Sequence, residues 1–205
     1  MHLSLRQPSL VRGRAEQYRA VVAGNIRTGV IVLSCLALSA CAIAQPKYSP
    51  QPQVQSTLRN GNFESIGVGS ISANDPSLET LTIRGNPLTP TSGTFSGDIR
   101  QALELELSRA GLLLPASQVQ ISGMLMKNEL DGRGMSEGHA SVAVEFIVRK
   151  DGKETFRSTK TADNKWPSSF VGAKAIPAAA QGYVRTVEKL VTTLVADPGF
   201  QAAIR

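Results

Sequence analysis

Cysteine is nearly missing from this 205-residue chain: there are two, Cys35 and Cys41. Everything after position 41 therefore lacks a disulfide, a thiol nucleophile and a thiolate metal ligand. Histidine is as scarce. Only His139 follows the first few residues, at the start of a strand pattern, so a metal centre built on several histidines is excluded. No metal and no cofactor is expected. A Ser-His-Asp triad could draw only on His139, and Gly93-Thr94-Phe95-Ser96-Gly97 has the order G-x-x-S-G instead of the G-x-S-x-G of a nucleophile elbow. Walker loops and a complete G-x-G-x-x-G are absent as well. Glu104 and Glu106 lie two apart in a helical stretch, so they face apart and read as solvated side chains. Catalysis is not expected.

A surplus of one charge is also lacking where it would matter. The sequence pI is near 9.6, yet residues 1–41 hold five arginines against one glutamate, and residues 42–205 hold 17 Lys and Arg against 15 Asp and Glu. No long run of one sign occurs after position 41, so a phosphate backbone has no electrostatic footprint to meet and nucleic acid is excluded as a partner. Long apolar runs are missing too. The longest, Gly29–Ala40, has 12 residues, whereas a spanning helix needs about 20 to cross a ~30 Å hydrocarbon core.

That short run is informative nevertheless. Arg27 precedes it and small residues end it, which is the layout of a secretory signal. Its end, Leu38-Ser39-Ala40-Cys41, resembles a bacterial lipobox at all four positions. The resemblance implies cleavage between Ala40 and Cys41, a diacylglyceryl group on the Cys41 thiol and acylation (palmitate or a similar chain) of the new amino terminus. Two or three acyl chains anchor firmly where one is reversible. Residues 1–40 are thus expected to be leader, and Met1–Gly24 is longer than a usual signal allows. Translation from near Val21 or Val22 would account for it, with a disordered extension as the alternative.

After Cys41, residues 42–59 contain three prolines and four glutamines without an apolar period. They read as a flexible spacer ahead of a single domain over residues 60–205. Strands are expected over Phe63–Ile71 and Glu79–Arg84, a loop over Gly85–Gly97, and an amphipathic helix over Asp98–Ala110 stopped by Gly111. Val119–Leu130 and Ala140–Lys150 alternate as strands. Asp151-Gly152 predicts a type I′ hairpin turn pairing Lys150 with Lys153, Arg149 with Glu154 and Ile147 with Phe156. The polar strand Lys153–Thr161 then reads as a sheet edge guarded by Lys153, Arg157 and Lys160. A loop over Asp163–Gly172 leads to a helix from Pro177 to Val195. The expected fold class is α+β: a two-layer sandwich of a mostly antiparallel sheet, four or five strands, with two helices on one face, in the order β-(β)-α-β-β-β-α.

Two candidate binding sites emerge. Gly93–Asp98, which holds Phe95 and the candidate cap Ser96, offers free amides at a helix start where an anion could sit. Trp166 and Phe170 put two aromatics in one loop, suited to a partner or to lipid headgroups.

Ile121–Asn128, Phe146–Gly152, Ala162–Ala178 and Ala196–Ile204 resemble segments of a small proteobacterial outer-membrane lipoprotein family of unknown role. Some members carry the label UDP-N-acetylglucosamine acyltransferase, but that enzyme class resembles a hexapeptide-repeat β-helix, and no such period occurs here. The element order is similar to that of small lipoproteins assisting assembly of outer-membrane components. The resemblance and the lipobox together imply an outer-membrane lipoprotein, lipid-anchored and facing the periplasm, with an envelope protein as candidate partner. In the resembled sorting system an aspartate after the cysteine would retain the protein in the inner membrane, and here Ala42 stands there. An enzyme of nucleotide-sugar or lipid precursors and a lipid-binding carrier are the alternatives.

Overall fold

The computed structural model describes residues 42–205; the leader, Ala40 and Cys41 lie outside the described residues. Its core element is the longest hairpin. Strand β6 (Glu137–Lys150) buries Ala140, Val142, Val144, Phe146 and Val148 on one face, each at most 1% exposed, as two-residue alternation dictates. It pairs antiparallel with β5 (Val119–Asp131) on one side and β7 (Lys153–Pro167) on the other. Strand β2 (Ile66–Ala73) lies beyond β5 and parallel to it, so the sheet order is β2-β5-β6-β7. The parallel pair needs a crossover, supplied by helix α2 (Phe95–Ala110). Helix α3 (Gly172–Val195) packs beside α2 on the same face. The α+β sandwich expected from the alternation is the fold observed.

A second, small sheet comes from β1 (Ile43–Ala44), β3 (Leu81–Ile83) and β4 (Asn86–Thr89), in the order β1-β4-β3. Strand β4 corrects the long loop expected over Gly85–Gly97. The turn Arg84-Gly85, with φ of 53° and 82°, folds it back on β3. Pro87, which has no N–H to donate, precedes the two residues Leu88 and Thr89 that pair with β1, so β4 is an edge on that side at the proline.

The largest correction concerns residues 42–59. They are no flexible spacer: after β1, helix α1 (Pro52–Asn60) opens on a proline and buries Val54 and Leu58, each 1% exposed, against α2 and α3. Gln45 N–H continues the β1 pairing by donating to Thr89 O at 3.0 Å. The chain is thus part of the core two residues after Cys41.

The Asp151-Gly152 turn has φ of 52° and 76°, as a type I′ turn requires, and pairs Lys150 with Lys153 and Arg149 with Glu154. One residue further the register slips. A bulge sets Phe156 opposite Val148, leaving Arg157 opposite Ile147. Phe156 therefore turns toward the core side, where it meets Phe200 of helix α4 (Pro198–Ala203) edge-to-face at 5.8 Å. β7 is the sheet edge, as expected, but Lys160 does not guard it. Its ammonium pairs with Asp197, whose carboxylate also accepts the Gly199 and Phe200 N–H groups and so caps α4. That ammonium, together with the amides, holds the Asp197 carboxyl below the usual carboxylate range.

Candidate functional site

The aromatic and helix-start residues singled out from sequence are separated by the fold. Trp166 is the last turn inward of β7, not a loop residue, and is 6% exposed. Its ring lies between Gly138 of β6 and Gly182 of α3. A Cβ at either glycine would come within 2.6 Å of the indole, so both positions need the bare backbone. Phe95 is fully buried, edge-to-face with Tyr183 at 5.3 Å. Ser96 is buried as well. The helix-start amides that could have received an anion are already satisfied from within. The Glu79 carboxylate accepts Phe95 N–H at 2.5 Å and Ser96 N–H at 3.3 Å, and Thr94 Oγ1 accepts Gly97 N–H at 3.1 Å. Trp166, Phe95 and Ser96 are core residues and cannot serve as a docking surface.

Phe170 alone remains outside, at 78% exposure. It sits at one end of the fold, where a single side chain gathers two loops. Arg84 Nη1 donates to Phe170 O at 2.9 Å, and Nη2 donates to Ser169 O at 2.5 Å and Gly134 O at 3.5 Å. Its Nε donates to Gly132 O at 3.2 Å. Ser168 N–H reaches Ser136 O at 2.8 Å. The β5–β6 loop and the β7–α3 loop are thereby held side by side. Each presents apolar side chains to water: Met135 at 72%, Phe170 at 78% and Val171 at 53% exposed.

A recess of about 440 Å³ with mainly apolar walls lies elsewhere, between α2, α3 and the chain that crosses them over residues 45–48. Gln45, Lys47 and Tyr48 form one wall, Gln101, Ala102 and Leu105 of α2 another, and Val184 and Val187 of α3 the floor. Its size is that of a small-molecule site. Gln45 is 8% exposed and its amide oxygen has no hydrogen-bond partner. Asp98, at the rim, accepts Thr91 N–H at 3.0 Å, Thr91 Oγ1–H at 2.8 Å and Ser92 N–H at 2.7 Å, so its carboxylate is engaged in holding the loop before α2.

Beneath the crossing chain lies Glu106, 1% exposed, which corrects its reading as solvated. Tyr48 O–H and Gln51 N–H each donate to its Oε1 at 2.7 Å, and Gln55 Nε2 donates to its Oε2 and, at 2.9 Å, to its backbone carbonyl. Burial, then the Glu106 hydrogen bond, drives the Tyr48 hydroxyl far above its ordinary pKa, so it is a permanent donor. Burial also raises Glu188, which faces Glu106 from α3. Sequence spacing contained this signal. Glu106 is four residues after Ala102 and three after Leu103, which places it on the apolar face of α2.

The arrangement is that of a structural clamp. Glu106 and Asp98 are each saturated by fixed donors, and none of the recess-lining residues is Ser, His or Cys. Among the described residues no three His, Cys, Asp or Glu side chains cluster as a metal would require. His139 is exposed in β6 opposite Asp131 and Lys165.

The fold has a precedent. The chain is similar to protein XCC0632 from Xanthomonas campestris, of the family DUF330, with a TM-score of 0.56 and 15% identity over 78% of this chain and 96% of that one. A slighter likeness, at TM-score 0.42 and 12% identity, links it to a minor lipoprotein from Acinetobacter baumannii over 68% of this chain and 92% of that one. The first shows a shared fold; the second is too weak to bear on role. No family model and no curated protein matches the sequence. None of the described helices is long and apolar enough to cross a membrane.

Proposed function

We propose that the protein is a non-catalytic lipoprotein of the bacterial envelope, anchored through acylated Cys41 to the periplasmic face of the outer membrane. There it binds, or helps to assemble, another envelope component. One observation carries this reading. The described chain belongs to the fold from Ile43 on, two residues after the cysteine at which a lipobox peptidase would cut. The satisfied carboxylates Glu106 and Asp98 support a binding role over a catalytic one, because a general acid or base needs a free, poised oxygen. The two sheets bear no likeness to the β-helix that an acyltransferase label implies.

Metabolic labelling with radioactive palmitate tests the anchor. The mature protein is expected to carry label and to fractionate with the outer membrane, and Cys41→Ser to lose both. A wild-type protein without label, or one sedimenting with the inner membrane, contradicts the assignment.

A further inference from the structure

Met135, Phe170 and Val171 form an apolar tip that no part of the described chain covers. We infer that this tip is a second, non-covalent membrane contact, which enters the headgroup region of the bilayer beside the lipidated terminus. The inference rests on the lipid-anchor reading and goes beyond it.

Topology puts the two on one end of the molecule. Strand β1 is parallel to β4, with Ile43 opposite Leu88 and Ala44 opposite Thr89. Its start therefore lies toward Asn86 and the Arg84-Gly85 turn, the same turn whose guanidinium holds Phe170 O, Ser169 O and Gly134 O. Cys41 directly precedes Ala42, the first described residue, in sequence. With no spacer between lipid and domain, this end must lie close to the bilayer surface. Its exposed groups suit that position. An aromatic, a methionine and a valine stand out from the surface, flanked by the exposed cation Lys174, which would meet anionic headgroups, and by Arg133, whose guanidinium pairs with Asp131 at 3.4 Å. Arg84 is spent on four carbonyls, so the two loops are fixed before they meet lipid and little ordering entropy opposes contact. The opposite end, at the Asp151-Gly152 turn, lies the length of the 14-residue strand β6 away, about 43 Å from its first residue to its last at a rise of ~3.3 Å per residue.

The test uses the mature protein in vesicles of phosphatidylethanolamine and phosphatidylglycerol. An environment-sensitive fluorophore is attached at Met135→Cys, or at Lys153→Cys on the far end, and quenched by nitroxide-bearing lipid. Emission from position 135 is expected to be blue-shifted and quenched at least threefold more than from position 153. Adding Phe170→Ser and Val171→Ser should return the probe at 135 to water. A lipidated protein whose probes at 135 and 153 are equally exposed overturns the inference and leaves the anchor intact. So does a probe at 135 that is shielded only in intact envelopes, which would make the tip a protein-docking surface. An amino-terminal peptide without acyl mass overturns the anchor, and the inference with it.

Discussion

The β6–β7 hairpin and the crossing chain over residues 42–60 are opposites. The hairpin is local. Its alternation, its Asp-Gly turn and its cross-strand pairs lie next to one another in sequence, and it would be recognised in any context. The crossing chain has no partner next to it in sequence. It is ordered by partners some fifty residues away: Glu106 for Tyr48, Gln51 and Gln55, and Thr89 for Gln45. Polar, proline-rich chain can thus be core when a single buried carboxylate supplies the acceptor that several of its donors require. Composition alone separates linker from fold poorly; what counts is whether distant donors and acceptors match.

Removing that acceptor should therefore have the largest effect. Glu106→Leu leaves Tyr48 O–H and Gln51 N–H without their acceptor and Gln55 Nε2 with only the backbone carbonyl of residue 106. Each buried unpaired donor costs roughly 1–3 kcal/mol, offset in part by no longer burying a charge. The expected loss in urea unfolding is about 4 kcal/mol, with amide exchange accelerated first in α1. An effect within about 0.5 kcal/mol, typical of a surface change, would restore the linker reading.

Leu58→Ala probes the same contrast through packing. Leu58 is 1% exposed on α1, and deleting such a side chain costs about 3 kcal/mol where neighbours cannot collapse into the space. A true spacer would tolerate it without a measurable shift of the midpoint.

On the hairpin side, Gly152→Ala forces an L-residue to hold φ near 76°. The expected cost is about 1 kcal/mol, with exchange raised around the turn and unchanged in α1. Spread of the effect into α1 would show that the two regions are less independent than their contacts suggest.

Glu188→Gln should act in the opposite direction and least. Burial raises the carboxyl's pKa in the folded protein, so the folded state holds its proton more tightly than the unfolded chain. The associated stabilisation is present at low pH and disappears as pH rises through the raised value. At neutral pH the charged form is therefore a small liability that glutamine relieves. The variant should be slightly the more stable at pH 7, and the gap should close by about pH 4, near the ordinary glutamate pKa. Thermal denaturation at the two pH values checks this; a gap that widens at low pH contradicts it.

Sequence made the regular parts legible for a physical reason: β6, α2 and α3 bury one face each, and their periods record it. It failed where a partner distant in sequence decides. β4 is held by β1 and β3 with a proline inside it, and the bulge near Thr155 turns on Phe156 finding Phe200. Trp166 was misplaced because a lone aromatic near turn residues looks like a loop, whereas Gly138 and Gly182 clear space for it in the core. α1 did leave a trace, a proline followed by Val54 and Leu58 four residues apart. Of the candidate site residues among those described, only Phe170 is exposed, and its significance depends on Arg84, whose role no spacing announces.

The proposed anchor at Cys41 would join lipid directly to a folded domain, and the mass of the amino-terminal peptide of the mature protein tests that most directly. The account predicts a peptide beginning at Cys41 and heavier than its sequence by a diacylglyceryl group and a fatty acyl chain. A peptide beginning before position 41, or one of unmodified mass, would contradict it.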